Sequence, residues 1–292
     1  MKILIIGKDS YIGTHIRRVL LSRGHEVEEL DVISEEVSAD RFSNVDSVIH
    51  VAAIVHRKDI EDYETYKTVN VELPLKVATV SKDMGVKQFV FFSSMAVYGK
   101  KKSFDDFWID ENTPLNPRSF YGKSKLEAEN RLFQLEGDGF GVCAIRPANV
   151  YGKDCRGEYI KKFKKITSSL PVIPNAFEDT KQGMIYIDNL CELVRLIVEN
   201  NARGVYAAQD KHAVSTVELM QEIARAIGIK RKKSKFIGFL VKLLRFGAVK
   251  KLYGGIAYRE EYASTELGNY NIIDFAEAIT NTYKQTEDEK NV

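Results

Sequence analysis

Cysteine is scarce in this chain. There are three in 292 residues, Cys143, Cys155 and Cys191, far apart and without a C-x-x-C pair. That excludes a disulfide framework and a cysteine metal or redox motif, and it suits a reducing compartment. Charge of one sign is lacking too. The 43 lysines and arginines face 41 acidic residues, a net charge of +2, so no strong field marks nucleic acid as the main partner. No run of about 18 apolar residues is present, so no segment is expected to span a membrane. The chain enters an apolar stretch at residue 3 with no charged-then-apolar leader before it, and a cytoplasmic protein is expected. Neither internal repeats nor a metal-ligand cluster can be found.

What is present is ordinary globular composition, 44% hydrophobic and 29% charged, enough for one large domain or two coupled ones. Short apolar runs at 2–6, 27–30, 45–51, 89–92 and 142–145 read as strands, and the stretches 14–23, 63–84 and 121–136 as helices. The alternation predicts an α/β protein built on a Rossmann-type, doubly wound parallel sheet with helices on both faces. Between Asp31 and Val45 there is little room for a full strand–helix unit, and a degenerate strand is expected near 37–39. Beyond Gly152 the texture changes to helical patches at 160–168, 188–200, 215–227, 236–246 and 273–283, separated by β-like pieces at 184–187 and 205–208.

The stretch Gly7-Lys8-Asp9-Ser10-Tyr11-Ile12-Gly13 follows the first strand. It departs from G-x-G-x-x-G at Asp9 and nearly fits G-x-x-G-x-x-G, with Ser10 in the middle place. In a strand–turn–helix start, Gly7 allows the tight turn and Gly13 lets the helix pack close to the strand. The backbone amides and the helix N-terminus, opened by Tyr11 and Ile12, then face a pyrophosphate. Ser10 fits only with ordinary backbone angles, though its hydroxyl can donate to a phosphate. Asp31 ends the second strand, where an acidic residue holds the adenosine ribose hydroxyls. Its charge repels a 2′-phosphate and favours NAD over NADP, while Lys8 is a counterweight that could reach one. The blander account of Asp31 is a strand-end turn residue.

Tyr121-Gly122-Lys123-Ser124-Lys125 is Y-x-x-x-K on a predicted helix. Residues four apart share a helix face. A tyrosine ionises near pH ~10, and a neighbouring ammonium lowers that value, which makes it a general acid/base. The bare pattern also occurs on solvated helix faces. Here Ser93-Ser94 follow an apolar strand, at the carboxyl end where doubly wound sheets hold ligands.

Taken together, Gly7-x-x-Ser10-x-x-Gly13, Asp31, His50-Val51-Ala52-Ala53, Asn70-Val71, Ser93-Ser94-x-x-Val97-Tyr98-Gly99, Tyr121-x-x-x-Lys125 and Arg146-Pro147-x-Asn149-x-Tyr151-Gly152 resemble the extended short-chain dehydrogenases/reductases of the NAD-dependent epimerase/dehydratase family, which act on nucleotide sugars. The resemblance covers nearly the whole chain. It implies that Ser94 hydrogen-bonds a sugar oxygen, that Tyr121 moves the proton, and that Lys125 also binds the nicotinamide ribose. Ala52, Ala53 and Asn70 would line the NAD cleft, and Asn149 would contact the nucleotide sugar. The expected division is a NAD-binding domain over 1–152, rejoined by roughly 181–209, with a substrate region of 153–180 and 210–292. A homodimer through the helices 63–84 and 121–136 is also implied. The chain departs from the family pattern at Gln182, near where an arginine commonly binds the pyrophosphate. Arg259 is the candidate replacement, a solvated surface arginine being the other account of it.

The resemblance also narrows the reaction. The family's 4,6-dehydratases carry an Asp-Glu pair after the catalytic serine or threonine; here Met95-Ala96 stand there, and neither moves a proton. A 4-epimerase of UDP-hexoses or UDP-N-acetylhexosamines is expected, working through a 4-keto intermediate in surface polysaccharide synthesis. The alternatives are a 4-ketoreductase of 4-keto-6-deoxy sugars, which Ala53-Ile54-Val55-His56-Arg57 resembles, and a NAD-binding regulatory module without catalysis. His50 reads as a core histidine. His56-Arg57-Lys58 reads as a loop near the cofactor mouth, and the lysines of 161–165 as a solvated face. The basic, apolar stretch 230–253 reads either as a helix packed on the core or as a peripheral membrane contact.

Overall fold

The computed structural model describes residues 1–32, 35–55, 62–155 and 157–284. Strand β1 (Lys2–Ile6) leads into helix α1 (Tyr11–Ser22), then β2 (Glu26–Leu30) and β3 (Ser47–His50). Helices α2 (Tyr63–Lys67) and α3 (Leu73–Asp83) precede β4 (Gln88–Phe92). The two-residue β5 (Trp108–Ile109) and helix α4 (Phe120–Phe133) come before β6 (Gly141–Pro147) and β7 (Asn149–Tyr151). The rest comprises α5 (Glu158–Ser169), β8 (Ile173–Pro174), β9 (Met184–Tyr186), α6 (Ile187–Glu199), β10 (Gly204–Ala208), α7 (Thr216–Ala226), β11 (Lys233–Ser234), α8 (Lys235–Lys242), α9 (Gly247–Tyr253), β12 (Ala257–Tyr258), α10 (Glu260–Ala263) and α11 (Phe275–Tyr283).

Six strands form one parallel sheet in the order β10-β6-β4-β3-β1-β2. Their near-continuous apolar runs have a simple cause. Alternate residues point to opposite faces, and each face carries its own helices. Ile3, Ile5, Val90 and Ile145 pack with Ile16 and Leu20 of α1 and Leu190, Val194 and Ile197 of α6. Leu4, Ile6, Phe89, Phe91 and Val142 pack with Val77 and Ala78 of α3 and Ala128 and Leu132 of α4. The strand order reverses between β1 and β3, and the ligand crevice of a doubly wound sheet lies beyond the strand ends at that point.

Two expectations need correction. No strand forms at 37–39; the segment runs into a 3-10 turn, Ala39–Phe42, that buries Phe42 under the sheet. Arg41 instead donates to the Glu29 carbonyl at 3.1 Å, using a side chain where a further strand would have used its backbone. The helix expected over 63–84 contains a π-helical turn, Thr68–Glu72. Pro74 lacks an N–H and sits at the start of α3, so the regular ladder has to be re-spaced there.

Segments after β6 extend this frame. β9 pairs with β7, and α6 packs on the α1 face of the sheet. β12 pairs with β5, and β11 with β8. Among the described residues no helix is long and apolar enough to cross a membrane.

Candidate active site

The loop after β1 lies against two neighbouring strands. Gly7 takes φ +117, and a Cβ there would lie 3.0 Å from the Ala52 amide nitrogen and 3.0 Å from Val51 Cγ2. The amides of Gly7 and Lys8 donate to Leu30 O at 3.0 and 3.3 Å, which sets Asp31 at the side of the loop. Ser10 has φ −72 and ψ 144, ordinary extended backbone, and its hydroxyl accepts from Gly13 N at 3.1 Å. Its serine therefore costs no strain, and the hydroxyl hydrogen stays free to donate. Tyr11 and Ile12 begin α1, both partly packed on the core. The Tyr11 hydroxyl is buried without a partner among the described residues. Open helix-start amides, a glycine cradle closed by any side chain, and a strand-end carboxylate beside them fit a dinucleotide.

Ala52 and Ala53 continue from β3, the Ala52 amide donating to Ile6 O at 3.0 Å. The π-helical turn aims the fully buried Asn70 inward. Its amide accepts from Ile54 N and donates to Ile54 O, both at 2.9 Å, and donates to Ser124 Oγ at 3.0 Å. Asn70 thus clips the cleft-side loop to α4.

Ser94, in extended backbone, caps a 3-10 turn (Met95–Tyr98), its hydroxyl accepting from Ala96 N at 3.1 Å. Helix α4 comes close to that turn at Gly122, where a Cβ would sit 2.6 Å from the Ala96 carbonyl oxygen. This approach brings Tyr121 to Ser94. Burial pushes the Tyr121 phenol up, and a hydrogen bond with the Ser94 side chain pulls it down. Lys125 lies one turn further on, buried, donating to Phe92 O at 2.7 Å with its ammonium 4.5 Å from the Phe91 ring centroid. Burial lowers its pKa to about 7, and the Glu129 carboxylate opposes that shift. Glu129 itself pairs with the buried Arg146, whose guanidinium also donates to the Tyr98 hydroxyl at 2.9 Å.

Ser94 and Tyr121 open onto a cavity of about 650 Å³, shared with Asn149, Gln182, Tyr159 and the cations Lys100, Lys101, Lys102 and Arg118. Arg259 is not among its lining residues. It pairs with Asp110 at 3.5 Å and stands 5.7 Å from the Trp108 ring centroid. Lys102 lines the cavity beside Gln182. Its Nζ donates to Gln182 Oε1 at 3.2 Å and to Lys251 O at 3.1 Å, while Tyr159 donates to the same Gln182 oxygen. Burial lowers the Lys102 pKa to about 8. Among the described residues no carboxylate lies within ion-pair distance of it. A signal was available in the sequence: three consecutive lysines directly after Tyr98-Gly99. His56-Arg57-Lys58 lie outside the described residues.

His50 ends β3, fully buried near Phe89 and Phe91, with neither ring nitrogen hydrogen-bonded among the described residues. Burial, then the Lys125 charge, lower its pKa to about 3. Below pH ~6.5 the unfolded chain takes up a proton that the folded chain refuses, so this histidine's contribution is lost as pH falls from ~6.5 towards 3. His50→Leu removes that loss. Its stability relative to wild type, read from urea midpoints, should rise by up to ~1.4 kcal/mol per pH unit on acidification. A pH-independent difference overturns the assignment.

A parallel sheet with a partly buried serine at a strand end, a buried tyrosine and lysine on the helix against it, and a dinucleotide-type loop beside them defines a short-chain dehydrogenase-like enzyme. The profile of the NAD dependent epimerase/dehydratase family matches residues 3–208. The chain belongs to that family, an enzyme of the extended short-chain kind with NAD as the family's cofactor. The chain is 28% identical over 249 residues to a UDP-glucose 4-epimerase of Vibrio cholerae, covering 77% of this chain and 75% of that one. It is 28% identical over 247 residues to the N-acetyl-α-D-glucosaminyl-diphospho-ditrans,octacis-undecaprenol 4-epimerase of Escherichia coli O157:H7, covering 78% and 73%. The solved structure of MoeE5 with UDP-glucose and NAD superposes with a TM-score of 0.75 at 22% identity, covering 97% of each chain. At that identity the superposition speaks for the fold.

Proposed function

We propose that this enzyme inverts C4 of a sugar held through a diphosphate, a UDP-hexose or UDP-N-acetylhexosamine being the substrate the sequence favours. One observation carries the reading: the cavity that receives Ser94 and Tyr121 is walled by cations, among them Lys102, which has no ion-pair partner among the described residues. The V. cholerae and E. coli relatives support it, since both names describe 4-epimerases of diphosphate-linked sugars. In this reading residues 1–152 and 181–209 hold the cofactor, and 153–180 and 210–292 the substrate. Gly7, Ser10, Tyr11, Ile12 and Gly13 take the cofactor pyrophosphate, and Asp31 the adenosine ribose. Ala52, Ala53 and Asn70 shape the cleft.

NAD, when bound, supplies the hydride acceptor for C4. The Tyr121 phenol oxygen takes the O4 proton and later returns one. Ser94 hydrogen-bonds O4 and holds it at the tyrosine. Lys125, buried beneath, stabilises the phenolate electrostatically and would hold the nicotinamide ribose. Lys102 grips the diphosphate, with Asn149 on the same wall. In this reading the 4-keto sugar turns over in the cavity of about 650 Å³ to present its other face.

The direct test is to denature the purified protein, assay released NAD, NADH and NADP(H), and follow UDP-hexose inversion at C4 by NMR. Near-stoichiometric NAD with inversion supports the reading. An empty site that prefers NADPH and reduces 4-keto-6-deoxy sugars overturns it. A charge-assisted hydrogen bond contributes roughly 1.5–3 kcal/mol. Lys102→Met should therefore raise KM by roughly 10- to 100-fold with a smaller change in kcat. In the wild type, KM should climb above pH 8 as Lys102 loses its proton. Lys102→Arg should keep KM low and remove that climb. Unchanged KM in Lys102→Met would dismiss this assignment.

A further inference from the structure

Helix α8 and the turn after it present an apolar face with no partner among the described residues. Phe236, Phe239, Leu240, Leu243, Leu244 and Phe246 are all exposed, Phe236 and Phe246 at 71% each. Positions 236, 239, 240 and 243 repeat at helical spacing, so they form one face. The opposite side is what packs. Gly238 lies against the Asn175 backbone, where a Cβ would meet the carbonyl oxygen at 2.2 Å, and Val241 rests on the core. Isolated exposed apolar residues are normal, but a contiguous cluster of this kind marks an interaction surface.

The charge around the face selects the partner. Residues 230–251 contain nine lysines and arginines and no acidic residue. Two of the cations are paired, Lys233 with Glu178 and Arg245 with Asp105. A second copy of this chain docked face to face would bring those cations against their like. An apolar face flanked by basic residues instead matches an anionic phospholipid surface, with rings in the acyl boundary and ammonium groups at the phosphates.

We infer that the α8 face docks this enzyme on an anionic bilayer. The docked layer is stitched to the catalytic cavity. Lys102 Nζ donates to Lys251 O, and the Arg245 guanidinium pairs with Asp105 and lies 5.3 Å from the Phe104 ring centroid. Docking therefore sets the cationic wall of the cavity beside the lipid surface. Together with the function proposed above, that position suits a sugar diphosphate whose other ester lies in the membrane.

The test is independent of turnover. The full chain is sedimented with phosphatidylglycerol/phosphatidylethanolamine vesicles and with phosphatidylcholine vesicles, at low and high salt. Pelleting with the anionic vesicles, weakened by salt, is expected. The exposed triple variant Phe236→Ser/Phe239→Ser/Phe246→Ser and the charge variant Lys235→Glu/Lys242→Glu should each weaken it at least tenfold. An unchanged circular dichroism spectrum confirms that each variant is folded. Equal recovery in the supernatant with both vesicle types overturns the inference. So does a wild-type dimer, by light scattering, that the serine variant converts to monomer, because the face would then be a self-interface.

Discussion

Tyr121→Phe should lower turnover about 10²- to 10⁴-fold, the usual span for removal of a positioned acid/base, while the fold and the affinity for NAD stay unchanged. The expectation rests on geometry. The phenol is nearly buried, hydrogen-bonded to Ser94 and one helical turn from Lys125. Phenylalanine keeps the ring and its packing but has no oxygen to take the O4 proton. Ser94→Ala should give a smaller loss, because it removes the group that pulls the phenol pKa down against burial. Stopped-flow or NMR turnover with saturating substrate separates these from binding effects, and NAD titration by fluorescence checks the cofactor site. A Tyr121→Phe enzyme with wild-type turnover would end the catalytic assignment. A variant that loses NAD as well would recast Tyr121 as a binding residue.

The largest expected effect on stability lies behind the site. Arg146 and Glu129 are both almost fully buried and form a two-armed pair, with nitrogen–oxygen distances of 3.0 and 2.6 Å. Glu129→Ala leaves the guanidinium without a counter-charge in a site that excludes water. Breaking a buried pair from one side costs about 3–5 kcal/mol, and the urea midpoint should fall accordingly. Replacing both partners, Arg146→Met with Glu129→Leu, should recover much of that loss, since the attraction of a buried pair largely offsets its own desolvation. A further consequence separates this network from ordinary packing. Arg146 holds the Tyr98 hydroxyl, which also bonds Tyr262 at 2.7 Å, and Tyr98 closes the turn that begins at Ser94. The double replacement should therefore stay folded yet show a reduced kcat. Full activity in that variant would show that the network holds the fold without positioning Ser94.

Local and periodic features were legible in the sequence. Apolar runs marked the strands of the sheet, since strands covered by helices on both faces must be apolar throughout. The spacing of Tyr121 and Lys125 put them on one helix face, and the Ser94 position followed from the strand before it. Ser10 could be read conditionally, and its backbone angles met the condition. What failed to show locally was set by distant contacts. The short span between Asp31 and Val45 leaves room for only a degenerate strand near 37–39, yet Phe42 goes beneath the sheet and Arg41 takes the Glu29 carbonyl. Arg259 had suitable chemistry, but Asp110 and Trp108 hold it outside the cavity.

The sequence by itself therefore determined the sheet, the loop after β1 and the serine–tyrosine–lysine set, because each depends on residues close along the chain and on a fixed period. Only the tertiary structure decided which cation faces the cavity and which apolar face stays bare. Lys102 meets Gln182, Tyr159 and Lys251 from three remote segments. Helix α8 turns Gly238 inward because the Asn175 backbone leaves no room for a side chain there. Its phenylalanines face outward for the same reason, and a hydrophobic residue reads alike in sequence whether a core or a partner covers it.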